Sequence, residues 1–180
     1  GIFTINEFFN SKTVGHIVDD FGYFDLVTSH NALAHVDDLV DIFKSVKNVL
    51  KPTGIFIFEV GYRLDVIKNF WFDTIYHEHI DYHALKPLKI ILTKLGFNLF
   101  KVVRGNQQGG SIRLYSSLCQ SYQENDSLKN IIKLEKMHKL YERSTYNNFF
   151  EKMNKIREIF RKTINDFKSK NKKIVGFGVP

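Results

Sequence analysis

The chain of 180 residues is short of several things, and each shortage narrows its chemistry. It has one cysteine, Cys119, so no internal disulfide forms and a cysteine-built metal site has no second thiol, which suits a reducing cytoplasm. Three prolines and eleven glycines are too few for a fibrous or low-complexity chain. No window holds eighteen uninterrupted apolar residues, and positions 1 to 10 lack the basic flank and apolar core of a signal peptide. A soluble, cytoplasmic protein with no membrane partner is expected. What is plentiful is aromatic: seventeen Phe and eight Tyr within a 43% hydrophobic composition, enough to close a core.

The net charge of +7 is unevenly placed. Residues 1 to 120 hold twelve basic against twelve acidic side chains, and residues 121 to 180 hold fourteen against seven. The excess interleaves with acidic residues along a helical pattern, which reads as a solvated helix face and not as a nucleic-acid patch.

The first two thirds alternate between strand and helix. Tyr23 to Ser29 favours a strand, and Val36 to Leu50 repeats apolar residues at helical steps with Asp37 and Asp38 at its positive end. Lys51-Pro52-Thr53-Gly54 reads as a turn before Ile55 to Val60, a strand buried on both faces. This is a parallel βαβ unit, whose chemistry belongs at the carboxyl ends of the strands, here Ser29-His30-Asn31 and Glu59 to Tyr62. A helix over Ala84 to Leu95, a strand from Phe97 to Val103, the loop Gly105 to Gly110 and a strand Ser111 to Tyr115 complete the sheet with an antiparallel pair. From Ser127 onward, apolar residues at three- and four-residue steps predict one or two long helices, and Lys173 to Pro180 reads as a strand running into a glycine turn.

One block stands apart. Tyr76-His77-Glu78-His79 sets a phenol, two imidazoles and a carboxylate in consecutive positions, poor material for a core and good material for moving a proton near neutral pH. If the block is extended, alternation puts His77 opposite Tyr76 and Glu78, and His77 is given no catalytic role. His77, His79 and His83 could instead form a metal-dependent hydrolase site, and an inactive scaffold is a third reading. His30 and Asn31 could simply end a strand. Ser111 and Arg113 could approach a phosphate or merely follow a Gly-Gly turn. His16, His83 and His138 are read as structural.

Asn31-Ala32-Leu33-Ala34-His35-Val36 followed by aspartates, Phe58-Glu59-Val60, the Phe72 to His79 block, Gly109-Gly110-Ser111-Ile112-Arg113 and Gly176-Phe177-Gly178-Val179-Pro180 occur in this order. The set resembles the sugar C-methyltransferases, S-adenosylmethionine-dependent enzymes that methylate a carbon of nucleotide-linked deoxy keto sugars. The resemblance implies an α/β fold: a partial Rossmann-type class I methyltransferase sheet, then long helices, then the first strand of a C-terminal α/β domain. The corresponding ranges are 1–120 for the later portion of the methyltransferase domain, 121–170 for a helical linker region and 171–180 for the start of the last domain. The family's N-terminal cysteine cluster and its early glycine-containing donor motif have no counterpart here, so a longer polypeptide is expected and no metal is assigned.

By that resemblance His79 is the base, Tyr76 and His35 hold the substrate and stabilise an enolate, Glu78 orients a hydroxyl or tunes His79, and Asn31 binds substrate. Ser29, His30 and Asn31 are the expected contacts to S-adenosyl-L-methionine, and a nucleotide-linked sugar is the expected partner. The chemistry stands without the name: methylating carbon beside a ketone requires a base to remove the proton and a donor to stabilise the growing enolate oxygen. No covalent enzyme intermediate or metal is required. The particular sugar and the oligomeric state leave no mark in this sequence.

Overall fold

The computed structural model describes residues 1–177 and divides into two units, Gly1–Leu140 and Tyr141–Pro180. The first unit is built on a four-stranded sheet in the order β1-β2-β4-β3, with β1 Phe24–His30, β2 Leu50–Gly61, β3 Asn98–Gly105 and β4 Ser111–Ser117. β1 and β2 are parallel, whereas β4 runs antiparallel to both β2 and β3. The partial α/β sheet expected from the sequence is therefore present, crossover and terminal antiparallel pair included.

Helix α1, Val14–Phe21, precedes the sheet, and α2, Leu39–Val49, makes the crossover between β1 and β2. α2 begins three residues later than its apolar pattern predicts because Asp38 caps it, its carboxylate accepting from the Asp41 amide at 2.9 Å. The residues before it, Leu33–His35, form a short 3-10 turn that carries His35 to the end of the sheet. Lys51 to Gly54 differs from expectation. Instead of a turn it lies within β2, where pairing passes from Phe24–Leu50 directly to Leu26–Ile55. The surplus residues bulge out, and Gly54 is needed there because a Cβ would come within 2.9 Å of Leu50 and the Phe24 carbonyl.

One face of β2 points Phe56, Phe58 and Val60 into the core, joined by Tyr62 just past its end, all at 0% exposure. Phe56 and Phe58 stack with centroids 4.8 Å apart, and Phe43 of α2 packs on Phe58 at 5.6 Å. Burying one such ring contributes about 2–3 kcal/mol, so this aromatic cluster ties α2 to the sheet. Helices α3, Arg63–Asn69, α4, Leu85–Lys94, and α5, Asp126–Met137, complete the unit. Glu135 of α5 is fully buried, and its carboxylate accepts from the Leu85 amide at 2.6 Å, the Lys86 amide at 3.3 Å and the Tyr62 hydroxyl at 3.2 Å. It thereby satisfies donors at the start of α4 that the helix itself leaves open.

The second unit contains α6, Arg143–Ser169, a single 27-residue helix. Together with α5 it meets the expectation of long helices after Ser127. Lys172 to Phe177 adopts no strand, in contrast to the sequence reading; a strand requires a ladder partner, and none pairs with it among the described residues. The expected glycine turn at Gly178-Val179-Pro180 lies outside the described residues. No described helix is long and apolar enough to cross a membrane.

Candidate active site

The two parallel strands end side by side at His30 and Gly61, and two loops meet above them. One is Asn31 to Asp38. Asn31 turns the chain away from β1 with a left-handed φ of 50°, a conformation its short polar side chain tolerates, while its amide donates to the Glu59 carbonyl at 2.9 Å. The other loop is Phe70 to Tyr82, and three bonds join it to the first. The Ala34 carbonyl accepts from the amides of Ile80 and Asp81 at 2.9 and 3.3 Å, and His35 Nδ1 donates to the Glu78 carbonyl at 2.8 Å.

The Tyr76 to His79 block is not extended. The His79 amide donates to the Tyr76 carbonyl at 3.1 Å, closing a turn. A turn puts the first and fourth side chains on one side, and Tyr76 and His79 accordingly sit together, with ring centroids 4.4 Å apart. The ring of His35 lies 4.9 Å from that of His79. Asn31, His35, Tyr76 and His79 all line one cavity of about 400 Å³.

The two middle residues of the turn face away. His77 is 81% exposed, and the Glu78 carboxylate is 61% exposed and lies 4.0 Å from His77. The Glu78 carboxylate, expected to orient a hydroxyl or tune His79, points outward here, while its main-chain carbonyl meets His35. His30, an expected donor contact, also lies apart from the other site residues. Strand alternation turns it to the face opposite Ser29, where its ring lies 4.0 Å from the Glu59 carboxylate and contributes to neither cavity at the strand ends. Ser29 instead lines a neighbouring cavity of about 870 Å³, walled by Val27, Leu33, Asp37 and Asp38, and His35 belongs to both.

The bonding of His79 fixes its tautomer. Nδ1 lies 2.9 Å from the Thr74 carbonyl, which can only accept, so Nδ1 carries the proton and Nε2 keeps a lone pair. The Tyr76 hydroxyl donates toward Nε2 at 3.3 Å. By the same argument the His35 bond to Glu78 leaves the Nε2 of His35 unprotonated in the neutral ring. Two imidazoles and a phenol therefore share one cavity with a basic nitrogen and a hydroxyl donor available.

Part of the lining comes from residues to which the sequence assigned no role. Trp71, Gln108 and Gly110 line the same cavity. Gly109 and Gly110 have φ of +88° and +137°, and a Cβ on either would strike the Trp71 ring or the Asp65 carboxylate. The adjacent pair was legible in the sequence, but its reason, close approach to a tryptophan and an aspartate distant along the chain, was not.

Behind the site, Glu59 is buried and accepts from Ser111 Oγ at 2.8 Å and Arg113 Nε at 2.8 Å. Burial pushes its carboxyl up, but the bonds from Ser111 and Arg113 outweigh burial and hold it below the usual carboxylate range. Ser111 and Arg113 are thereby committed to Glu59. His83 is buried, its Nε2 3.3 Å from the Leu33 carbonyl, and burial holds its pKa below the ordinary imidazole value. With His83 in the core, His77 in solvent and His79 in the cavity, the three histidines of the hydrolase alternative do not converge, and no group of three metal-ligating side chains occurs among the described residues.

Known sequences resemble this chain in part or throughout. A family described as "C-methyltransferase C-terminal domain" matches residues 106–180, and one described as "Methyltransferase domain" matches residues 14–58. The C-methyltransferase NovU of Streptomyces niveus is 26% identical over 181 residues, covering 100% of this chain. The chain is related to the C-methyltransferases. It spans 43% of the length of NovU. Among solved structures, an S-adenosylmethionine-dependent methyltransferase from Clostridium acetobutylicum overlays 53% of the chain and 58% of its own at 15% identity, with a TM-score of 0.41. The magnesium protoporphyrin IX methyltransferase of Synechocystis, with bound SAH, overlays 52% of the chain and 44% of its own at 15% identity and a TM-score of 0.41. The kinship drawn from the Asn31 to Val36, Tyr76 to His79 and Gly109 to Arg113 motifs thus has support from whole-sequence comparison.

Proposed function

We propose that this chain is the acceptor-handling portion of an S-adenosylmethionine-dependent C-methyltransferase that acts on a nucleotide-linked deoxy keto sugar in the cytoplasm. The observation that carries the reading is the orientation of His79: Nδ1 is tied to the Thr74 carbonyl, so the lone pair is on Nε2, which meets the Tyr76 hydroxyl in the cavity that Asn31 and His35 also line. His79 removes the proton from the carbon beside the ketone. Negative charge then grows on the ketone oxygen, where the Tyr76 hydroxyl or a protonated His35 donates to it. Asn31 holds a sugar hydroxyl at the end of β1, and no covalent bond forms between protein and substrate.

S-adenosylmethionine, when bound, supplies an electrophilic methyl group for direct transfer to carbon. The 870 Å³ cavity beside Ser29 suits it chemically, since apolar Val27 and Leu33 adjoin the carboxylates of Asp37 and Asp38, which complement a sulfonium and an ammonium. His35, on the wall common to both cavities, marks where donor and acceptor would meet. The division into a methyltransferase region at 1–120, a helical region at 121–170 and the beginning of a further domain at 171–180 belongs to the same proposal, as do the absence of a metal and of a nucleic-acid partner.

Incubation of the protein with S-adenosylmethionine and a nucleoside diphosphate keto deoxy sugar tests this. Product NMR should show a new methyl attached to carbon next to the carbonyl. A methyl attached to oxygen, or hydrolysis without methylation, contradicts the proposal.

A further inference from the structure

The residue that completes the setting of His79 lies outside the block that the motifs single out. Tyr82 stands between the site loop and α4, half-buried, lining the smaller cavity. Its hydroxyl donates to the Thr74 carbonyl at 2.7 Å. The same oxygen accepts Nδ1–H of His79 at 2.9 Å, and the two rings meet edge to face, 6.0 Å apart at 86°. A carbonyl oxygen offers two lone pairs, so one acceptor serves both donors.

We propose that Tyr82 is a positioning residue for His79: by fixing the Thr74 carbonyl, it keeps His79 in the tautomer whose Nε2 bears a lone pair toward the cavity. The proposal rests on the reading of His79 as the base. Thr74 ends a single 3-10 turn, Phe72–Thr74, so no sheet ladder or long helix orients its carbonyl. The hydrogen bonds to that carbonyl come from the two side chains. Tyr82 itself is well anchored. The preceding Ile80 and Asp81 amides are bonded to Ala34, and the following His83 pairs with Tyr62, its carbonyl accepting from the Arg63 amide at 2.8 Å. The end of β2 therefore sets Tyr82, Tyr82 sets a carbonyl, and the carbonyl sets the imidazole.

Tyr82 keeps its donor proton in the working range, since burial raises its phenol above the ordinary value and outweighs the opposing bond to Thr74. The other polar groups near His79 do not replace it. Tyr76 addresses Nε2, the Nδ1 of His35 is bonded to Glu78, and Asp73 and Asp81 line the cavity without a hydrogen bond to the His79 ring among the described residues.

Tyr82→Phe removes one oxygen and retains the ring, so packing is kept, and a melting curve verifies this. The ring nitrogens of His79, assigned by their disappearance in His79→Asn, are read by long-range proton–nitrogen correlation NMR at a pH where the ring is neutral. The wild type should show protonated Nδ1 and bare Nε2, and Tyr82→Phe should show a mixture of both tautomers. In turnover, kcat should fall about tenfold with KM unchanged, as for loss of alignment and not of binding. An unchanged single tautomer in Tyr82→Phe overturns the proposal. The NMR result needs no activity, so it is separable from the functional reading, which fails if His79→Asn retains wild-type turnover.

Discussion

Arg113 grips Glu59 across the β2–β4 pair, with Nε and Nη2 at 2.8 and 2.7 Å from the same carboxylate oxygen. Ser111 holds the other oxygen at 2.8 Å. The three residues adjoin the strand ends that carry Asn31 and Gly110 to the cavity, so this polar clasp ties those ends together.

Replacing Glu59 with Gln should cost about 2 kcal/mol at neutral pH by weakening charge-assisted bonds. Arg113 is 39% exposed and recovers some of the loss from water. Because the folded-state pKa of Glu59 is lowered, its contribution is present above the ordinary carboxylate value and is lost as pH falls through the lowered one. Urea unfolding at a series of pH values should show the wild type and Glu59→Gln converging below the ordinary carboxylate range.

His83 gives a second pH dependence, in a different window. Burial depresses its folded-state pKa below the ordinary 6.5. The unfolded chain then takes up a proton that the folded chain refuses, so stability should decline as pH falls below about 6.5, with a slope of at most about 1.4 kcal/mol per pH unit. His83→Gln should flatten this slope in denaturant titrations between pH 8 and 5. An equal slope in both proteins would assign the dependence elsewhere.

Gly110→Ala should be among the costliest small substitutions. At φ +137° a Cβ would lie 2.3 Å from the Asp65 carboxylate, and relieving that contact means moving a residue paired with Arg104. A loss of at least about 2 kcal/mol, or roughly 4–8 °C in melting temperature, is expected. Scanning calorimetry measures it, and Gly109→Ala, which drives into Trp71, should behave alike.

How far the sequence anticipates the structure depends on the range of the interaction. The alternation of strand and helix through β2 and the antiparallel β3–β4 pair follow from local periodicity and were legible. The bulge at Lys51 to Gly54 was not, since a Pro-Thr-Gly stretch marks a turn equally well when its partner strand is unknown. Asn31, His35, Tyr76 and His79 could be named as one group from motif resemblance. The orientations within the group could not. Alternation assumes an extended chain, but the Tyr76 to His79 segment closes a turn, which brings in His79 and sends the Glu78 carboxylate outward. Trp71, Tyr82 and Gln108 were missed because each is an ordinary residue until the loop brings it to the cavity.

Solvent hydrogen exchange tests the central claim most directly, because it isolates proton removal from methyl transfer. With a nucleoside diphosphate keto deoxy sugar in deuterium oxide and no methyl donor, the wild-type protein should incorporate deuterium at the carbon beside the ketone, and His79→Asn should reduce incorporation to the uncatalysed rate. Exchange by His79→Asn at the wild-type rate would contradict the assignment of His79 as the base.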